Sequence, residues 1–527
     1  MTPNKRVIIT GIAAIALTLS ACSGSDSASS NGASGAGSAG EATPSGNGEI
    51  HLGVAYETTN YHPSQTSSAL ALGANWHVVE GLYEFNMDDY TVYPALAAGE
   101  PNWSSDTEFE VDLRDDAKFS DGTEVTSQDV ISSYERSMAE GNLYASMLNF
   151  IDTIEAVDED TVKFTLNQPF SIATNRLVVA KIVPASATDD ELTAMPIGSG
   201  PYKYESITDS KLEAVPNEHY NGPNKAGADK IVWDVIKDDT ARTTAATSGT
   251  IDVMEAVPAA SAPMLESAGM TVAEVKGFNL PFLLFNTTKA PFDDPRVRQA
   301  FLYAVNTDML IQNNMDGKAT AATSFLPESN PAYNKAKNVF TYDPEKAKSL
   351  LEEAGVTDLN ITLLTTDHPW ISDLAPQIQN DLQAAGIKVS LQSEASASLY
   401  ANNLDVDNPT FDVALAPGDP SVFGNDPALL MNWWYGDNVW TKKRTFWQQS
   451  DPETWQELQD IINEGAAAEG AEQQEKWNEA FDLISEEVPL YPLFHRTMLT
   501  GYNPNTVADF KPIGTTGLWA VTARSNR

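Results

Sequence analysis

The stretch FEVDLRDDAKFSDGT, residues 109–123, predicts a strand, a turn and the approach to a helix. Apolar residues at 109, 111 and 113 alternate with polar ones, which is the period of a half-buried strand. The pair Asp121-Gly122 is typical of a tight turn, because glycine tolerates the left-handed backbone that such turns need. A helix follows, opened by Thr126 or Ser127, since either hydroxyl can cap a first helical turn.

The same mixture of strands and helices continues along the chain. Alternating apolar residues predict strands at 162–166 and 387–391, and a nearly continuous apolar run predicts a strand covered on both faces at 231–236. Helical spacing of apolar residues predicts helices at 297–305, 344–354 and 477–484. The chain is therefore expected to have an α/β fold.

The composition excludes several classes of function. The 527 residues include 32 Lys+Arg and 73 Asp+Glu, so the formal net charge is −41. A nucleic-acid binder needs a basic face, and so does a surface that adsorbs to anionic lipid. The acidic composition therefore argues against both functions. The length leaves room for two or three domains, and the 42% hydrophobic content is that of a folded protein. The single cysteine excludes an internal disulfide, a thiolate zinc site and an iron–sulfur cluster.

The amino terminus predicts export and attachment to a membrane. Lys5 and Arg6 precede an apolar run at 7–19, and such a basic and apolar succession is typical of a secretory signal. Cys22 stands directly after Leu-Ser-Ala, which resembles the lipobox of bacterial lipoproteins. The resemblance implies that residues 1–21 are removed as a signal peptide and that the thiol of Cys22 is lipidated. Of residues 23–48, 20 of 26 are Ser, Gly or Ala, so 22–48 is expected to be a lipidated, disordered tether.

A series of motifs in a fixed order identifies the family. Besides the opening stretch, the motifs are PIGSGPY at 196–202, NEHY at 217–220, SGTID at 248–252, FNT at 285–287, PFDD at 291–294, VRQA at 297–300 and VPLYPL at 488–493. Together they closely resemble the signature of the family 5 extracellular solute-binding proteins, the peptide and nickel binders of ABC importers. The resemblance covers the chain from about residue 49 to its end.

The resemblance implies two α/β lobes of the periplasmic-binding-protein type, joined by crossing segments, and an extra subdomain. The expected segments are 49–80, 196–278 and 490–527 for lobe I, 81–195 for the extra subdomain and 279–489 for lobe II. A ligand would bind in the interlobe cleft, which closes by hinge bending. The implied role is capture and delivery to a membrane permease, by a monomer held outside the cytoplasm through its lipid. No enzymatic activity is implied.

An aromatic segment supplies the first candidate ligand-binding residues. The segment NWWYGDN at 432–438 has neither clean helical nor clean strand spacing and is rich in turn formers, so a loop is expected. The aromatic candidates of this region are Trp433, Trp434, Tyr435 and Trp440. Rings on a loop would meet a ligand, although packing between the lobes would also use large aromatic residues.

The segment APGDPSVFGNDP at 416–427 supplies further candidates by resemblance. Peptide binders of this family carry an aspartate that pairs with the α-amino group of the peptide, and Asp419 is the nearest match. Asp426 is the alternative partner for that group, and Phe423 lies between the two. On the opposite side of the cleft, the candidates that follow the first predicted strand are Tyr56, Asn60 and Tyr61.

The leading hypothesis for the ligand is an oligopeptide, whose backbone the cleft would satisfy with strand-like hydrogen bonds. The alternatives are an oligosaccharide, since stacked tryptophans suit sugar faces, and a nickel ion or metal chelate. A secreted hydrolase is the alternative from another class. The six histidines, at 51, 62, 77, 219, 368 and 495, never fall three or four apart, and neither H-E-x-x-H nor G-x-S-x-G occurs. The sequence therefore indicates no metal site and no catalytic group, and no cofactor is expected.

Overall fold

The computed structural model describes residues 48–406 and 408–527. The strands, in chain order, are β1 (Glu49–Val54), β2 (Tyr83–Asn86), β3 (Thr91–Pro94), β4 (Asn102–Ser105), β5 (Glu108–Asp112), β6 (Ile151–Ala156), β7 (Thr161–Leu166), β8 (Tyr202–Thr208), β9 (Lys211–Pro216), β10 (Lys230–Val235), β11 (Val253–Met254), β12 (Thr271–Lys276), β13 (Leu280–Phe285), β14 (Ala319–Ala321), β15 (Asn360–Thr366), β16 (Lys388–Glu394), β17 (Val413–Gly418), β18 (Leu490–Pro492), β19 (Phe494–Tyr502), β20 (Val507–Ala508) and β21 (Arg524–Ser525). The predicted signal peptide, Cys22 and the predicted tether up to residue 47 lie outside the described residues.

Helices alternate with these strands, as an α/β fold requires. In chain order they are α1 (Ala69–Asn75), α2 (Ser127–Ser137), α3 (Ala145–Leu148), α4 (Ala173–Leu177), α5 (Asp189–Ala194), α6 (Asp239–Thr247), α7 (Ala262–Ser267), α8 (Pro295–Ala304), α9 (Thr307–Asn314), α10 (Pro344–Glu353), α11 (Pro369–Ser372), α12 (Ala375–Ala384), α13 (Ser396–Leu399), α14 (Pro427–Tyr435), α15 (Trp447–Ser450), α16 (Pro452–Ala467) and α17 (Gly470–Glu487). Short 3₁₀ turns lie at Ala259–Ser261 and Pro420–Phe423, and π-helical turns lie at Tyr400–Leu404 and Trp440–Arg444.

The stretch at 109–123 folds as its sequence predicts. It begins in β5, where Phe109 is fully buried, and reaches a turn in which Gly122 has a φ of 89°. The N–H of Thr123 donates to the Asp121 carboxylate over 2.9 Å, which closes the turn. Helix α2 starts directly after the cap residue Thr126. The other predicted strands are present as β7, β10 and β16, and the predicted helices are present as α8, α10 and α17.

The first sheet is the framework of lobe I. Its strand order is β12-β19-β11-β1-β10-β9-β8, and β14 pairs with β19 beside this path. The central strand β1 runs parallel to both of its neighbours, β10 and β11. Val232 and Trp233 of β10 point to opposite faces of the sheet and are both buried, so this part of the strand is covered on both faces as the apolar run predicts.

The second sheet is the framework of lobe II. Its strand order is β16-β15-β17-β13-β18. Strand β15 runs parallel to β16 and β17, whereas β13 is antiparallel to β17 and β18. All six residues of β13 are buried, so this strand lies at the centre of the lobe II core.

Two short crossing segments join the lobes side by side. The chain passes from β12 to β13 through residues 277–279 and returns from β18 to β19 through Leu493. The N–H of Arg496 donates to the Asn279 carbonyl over 2.7 Å, and the N–H of Gly277 donates to the Arg496 carbonyl over 3.2 Å. A Cβ at Gly277 would collide with the Gly514 carbonyl oxygen, so this close approach requires glycine. These paired segments, which connect the two sheets, are called the hinge below.

The extra subdomain is built on a four-stranded sheet of order β4-β5-β7-β6. Its buried residues form one continuous hydrophobic cluster with those of lobe II, as Phe164 and Leu415 illustrate. Lobe I has its own cluster around β1, with Leu52 at its centre. Within the described ranges, none of the helices combines the length and apolar character of a membrane span.

Two strands lie across the expected segment boundaries. Strand β18, at the start of the segment 490–527 expected for lobe I, pairs with β13 in the second sheet. Strand β14, within the segment 279–489 expected for lobe II, pairs with β19 in the first sheet. The chain therefore crosses between the sheets at Leu493, because only this residue separates β18 from β19. The remaining segment boundaries stay a prediction.

Candidate functional site

The cleft lies where the strand ends of the two sheets meet. Parallel strands β1, β10 and β11 end at one edge of the first sheet, and β15 and β17 end at one edge of the second. Tyr56 follows β1 and His368 follows β15, and their ring centroids are 5.6 Å apart in an edge-to-face arrangement. Binding sites of α/β proteins form at such carboxyl ends. Tyr56 and His368 therefore mark the cleft between lobe I and lobe II.

Arg496 extends from the hinge strand β19 toward this cleft. Its Cζ lies 4.0 Å from the ring centroid of Trp370, which belongs to lobe II. One guanidinium nitrogen donates to the Asn279 side-chain oxygen over 3.3 Å. Burial lowers the pKa of the Arg496 guanidinium, while the neighbouring Tyr56 and Asp419 act to raise it. The hinge thus places a cation between groups from both lobes.

Glu255 follows β11 and faces the cleft from lobe I. Its two carboxylate oxygens accept the backbone N–H groups of Ala55 and Gly517, each over 3.0 Å. Burial raises the pKa of the Glu255 carboxyl, although these hydrogen bonds and nearby arginines oppose the change. Burial, and next the charge of Glu255, raise the pKa of Tyr56 to about 12. Tyr56 is therefore a neutral hydrogen-bonding group at neutral pH.

Asp419 joins lobe II to the C-terminal segment of the chain. Its Oδ2 accepts from the N–H and the hydroxyl of Thr516, over 2.8 and 2.7 Å, and from the Thr515 hydroxyl over 3.2 Å. Its Oδ1 accepts from the N–H and the hydroxyl of Ser421. Burial raises the pKa of the Asp419 carboxyl, and the bonds from Ser421 and Thr516 oppose the change. A ligand ammonium would have to compete with these donors, so the amino-anchor role of Asp419 stays a prediction.

Asp426 lies in the interior, between lobe II and the extra subdomain. Its Oδ1 forms an ion pair of 2.8 Å with Nη2 of Arg176, and both side chains are buried. The same oxygen accepts the N–H of Leu429 and so caps helix α14. These contacts give Asp426 a role in packing and helix capping, and its alternative role as a ligand partner stays untested.

The aromatic part of the segment at 432–438 is helical and not the expected loop, whereas residues 436–438 form a turn. Trp433, Trp434 and Tyr435 are the last three residues of helix α14, in which every residue is buried. Trp434 has no exposed surface and packs against Phe278 of the crossing segment and Phe282 of β13. The loop prediction is wrong because a helix buried on all sides lacks the polar face that reveals helical spacing.

The other aromatic candidates are also largely enclosed. Trp440 is only 5% exposed and lies 4.2 Å from the Arg444 guanidinium, which stacks over its ring. Tyr435 is fully buried, and its hydroxyl donates to the Leu490 carbonyl over 2.8 Å. Trp433 is 8% exposed and packs against Phe423 at a centroid distance of 5.2 Å. These contacts favour core packing over direct ligand contact for Trp434 and Tyr435 in particular.

Phe423 lines a cavity that lies between all three parts of the molecule. The cavity occupies about 420 Å³, including its solvent-open part. Its other walls include Trp76 of lobe I and Phe85 of the extra subdomain. The ion pair between Glu84 and Lys181 also borders it. Phe423, which follows Asp419 by four residues in the sequence, therefore borders a mainly apolar cavity.

Two candidates after β1 have local structural roles. The Asn60 side-chain oxygen accepts the N–H of His62 over 2.9 Å, which forms a turn. Tyr61 is buried against Tyr204, at a centroid distance of 6.4 Å, and burial raises the pKa of Tyr61 to about 12. Of the three candidates in this segment, Tyr56 is the one placed in the cleft opposite His368.

The structure brings Tyr56 and Asp419 together around Arg496 and adds residues that the sequence did not nominate. The added residues are Glu255, His368, Trp370 and Arg496 itself. Each lies at or near a strand end: Glu255 follows the SGTID motif, and Arg496 follows the VPLYPL motif. A position shortly after a family motif was the sequence signal for Glu255 and Arg496. No group of three or more His, Cys, Asp or Glu side chains within the described ranges is arranged to hold a metal ion.

Comparison with known proteins agrees with the architecture. Residues 91–441 match the family described as bacterial extracellular solute-binding proteins, family 5 middle. The chain is 30% identical over 353 residues to the glutathione-binding protein GsiB of Pectobacterium atrosepticum, covering 64% of this chain and 68% of GsiB. It is 26% identical over 409 residues to the probable D,D-dipeptide-binding periplasmic protein DdpA of Escherichia coli K12, covering 74% and 77%.

A solved structure shows the same fold. The protein DppA from Helicobacter pylori, in complex with the peptide STSA, superposes with a TM-score of 0.80 at 22% identity and covers 92% of this chain and 99% of its own. The two-lobed, periplasmic-binding-protein-like α/β fold implied by the motifs is thus confirmed. Proteins of this family act outside the cytoplasm as non-catalytic binding proteins. The chain belongs to family 5 of the bacterial extracellular solute-binding proteins.

Proposed function

We propose that this chain captures oligopeptides in the interlobe cleft and delivers them to the membrane permease of an ABC importer. The observation that carries the peptide assignment is the presence of both charge signs around the cleft, from Arg496, Glu255 and Asp419. A peptide has an ammonium, a carboxylate and backbone amides that can interact with groups of both signs, whereas a neutral ligand offers no charge to either. The dipeptide, glutathione and peptide binders among the similar proteins support the same class.

The positions of the tryptophans weaken the oligosaccharide alternative. Stacking on a sugar face needs an exposed ring in the cleft, but Trp434 and Trp440 lie in the lobe II core. Trp370 is the tryptophan nearest the hinge cation, and the Arg496 guanidinium covers its ring. We therefore rank an oligosaccharide second and a metal chelate third.

A thermal-shift comparison tests the peptide assignment. We expect a mixed tripeptide library to raise the melting temperature, while a panel of neutral cello- and xylo-oligosaccharides leaves it unchanged. The physical reason is linkage: a ligand at 100 times its Kd stabilises the folded state by about 2.7 kcal/mol. Stabilisation by the sugars alone would refute the peptide assignment.

The second part of the proposal is a lipid anchor at Cys22. The lipobox-like sequence before Cys22 supports it, and several acyl chains on one residue would hold the protein to the membrane. The following Ser/Gly/Ala-rich tether would keep the folded, monomeric binder close to its permease and so raise its local concentration there.

Mass spectrometry of the amino-terminal peptide tests the anchor. From protein extracted out of the membrane fraction, we expect a terminal peptide that begins at Cys22 and carries the added mass of acyl chains. The Cys22→Ala variant is the control, because alanine has no thiol to acylate. A wild-type terminal peptide that begins elsewhere, or that carries an unmodified Cys22, would contradict the anchor.

A further inference from the structure

Residues 514–517, here called the C-terminal strap, are fixed to lobe I and to the hinge. The N–H of Gly517 donates to Oε1 of Glu255, which follows β11, over 3.0 Å. The side-chain amide of Asn279, in the hinge, donates to the Thr516 hydroxyl over 3.0 Å. The strap is therefore held by lobe I on one side and passes directly beside the hinge.

Asp419 of lobe II reaches this strap. It directly follows β17, whose last residue Gly418 pairs with Leu280 next to the hinge. The Asp419 Oδ2 accepts the N–H and the hydroxyl of Thr516, over 2.8 and 2.7 Å, and the hydroxyl of Thr515 over 3.2 Å. Hydrogen bonds to an ionised carboxylate are roughly twice as strong as those between neutral groups. Asp419 thus ties lobe II to a segment that lobe I holds.

The Asp419 carboxylate is filled by donors of the protein itself. Besides the three donors of the strap, Ser421 offers its N–H and its hydroxyl to Oδ1. An ionised carboxylate has about four lone-pair positions, so these five donors use all of them. A ligand group could reach this carboxylate only by displacing a donor of the strap or of Ser421.

We propose that Asp419 and the C-terminal strap form a latch between the lobes, which biases the ligand-free protein toward the closed cleft. Rotation of lobe II away from lobe I about the hinge stretches the hydrogen bonds between Asp419 and the strap. Two arrangements that differ by a few kcal/mol respond strongly to the loss of even one such bond. The latch therefore acts on the population of the closed arrangement before any ligand binds.

The latch predicts how Asp419 affects ligand affinity. If the closed arrangement holds the ligand, the apparent Kd rises by the factor by which the closed fraction falls, whatever the ligand's amino terminus. An amino anchor would instead matter only for peptides with a free amine. This consequence rests on the proposed function, whereas the latch itself is measured without a ligand.

Interlobe distances in the ligand-free protein test the latch. The chain has one cysteine, so the full chain with Cys22→Ala carries no thiol besides those introduced. Lys237→Cys in lobe I and Asp373→Cys in lobe II place spin labels at exposed positions, and double electron–electron resonance measures their separation after refolding without ligand. We expect mainly the closed distance. Asp419→Ala should raise the ratio of open to closed protein at least about tenfold, which corresponds to losing one hydrogen bond to a charged group.

A milder variant and a control separate the latch from the loss of a carboxylate. Thr516→Val keeps the N–H donor and removes the hydroxyl, so it should increase the open fraction less than Asp419→Ala. The two changes combined should have little more effect than Asp419→Ala alone, because both act on one connection. Asp343→Ala removes a carboxylate that caps α10 within lobe II and should leave the distances unchanged.

Matched peptides separate the latch from an amino anchor. A tripeptide library is prepared with free and with acetylated amino termini, and retained peptides are identified by mass spectrometry. The Kd of the best-retained peptide is then measured by calorimetry in both forms. We expect Asp419→Ala to weaken both forms by the same factor, equal to the fall in the closed fraction.

Each remaining outcome decides the proposal. A mainly open distribution in the ligand-free protein without an Asp419 change overturns the latch and needs no further variant to fold. Unchanged distances in Asp419→Ala, or a loss of affinity confined to free-amine peptides, also overturn it. Retention of neither library overturns the peptide assignment, while the distances still decide the latch.

Discussion

Replacing Asp426 by alanine is expected to lower the free energy of unfolding by about 3–5 kcal/mol. Asp426 is the carboxylate partner of Arg176, whose side chain has no exposed surface, at a distance of 2.8 Å. Removing it leaves a buried positive charge without its counter-ion, and it also removes the cap of helix α14. Urea unfolding followed by circular dichroism measures the change.

A surface ion pair of the same length provides the control. Asp437 and Lys442 are also 2.8 Å apart, but both side chains are about half exposed. Asp437→Ala should therefore cost at most about 1 kcal/mol, because solvent screens such pairs. The double variant Arg176→Met, Asp426→Leu should be more stable than Asp426→Ala, since it leaves no unpaired charge. A loss from Asp426→Ala as small as that from Asp437→Ala would contradict the buried-pair interpretation.

The Asp426 variant also bears on ligand recognition. If Asp426 acts only in packing and capping, the folded Asp426→Ala protein should bind peptides with nearly the wild-type Kd. A large loss of affinity for peptides with a free amino group, but not for acetylated ones, would instead assign the amino-anchor role to Asp426.

Replacing Trp434 by alanine is expected to cost about 3–5 kcal/mol of unfolding free energy. Trp434 is fully buried, and the rings of Phe278, Phe282 and Phe325 lie within 6.0 Å of it, centroid to centroid. Truncation removes this packing and leaves a cavity that the helix-bound backbone cannot fill. Chemical denaturation monitored by circular dichroism measures the loss.

The control for Trp434 is a tryptophan with a different environment. Trp103 is 45% exposed, so Trp103→Ala should cost clearly less. Trp434→Phe keeps most of the buried volume and should retain the wild-type peptide affinity, because the ring lies in the core. A loss of peptide affinity in Trp434→Phe without a loss of stability would show that this ring contacts the ligand.

Local sequence patterns were sufficient for the strands and helices that they predicted. The alternation at 109–113 corresponds to β5, and Asp343-Pro344 opens α10 with the aspartate as its cap and proline at its first position. Both signals depend on neighbouring residues alone. The pattern fails for α14, because nine consecutive buried residues show no contrast between an apolar and a polar face.

The site was harder to predict because its residues come from distant parts of the chain. Tyr56, Glu255 and Arg496 meet only because β1, β11 and β19 are neighbours in one sheet. The spacing of nearby residues in the sequence does not predict that these three strands are neighbours. Asp419 was nominated by family resemblance, but its hydrogen bonds to Thr516 depend on a segment almost a hundred residues away in the sequence.

The ligand that co-purifies with the protein tests the central claim most directly. The protein is isolated from its native cells without denaturation, and bound molecules are then released by unfolding and identified by mass spectrometry. We expect short peptides among the released molecules. Recovery of neutral oligosaccharides in place of peptides would contradict the account.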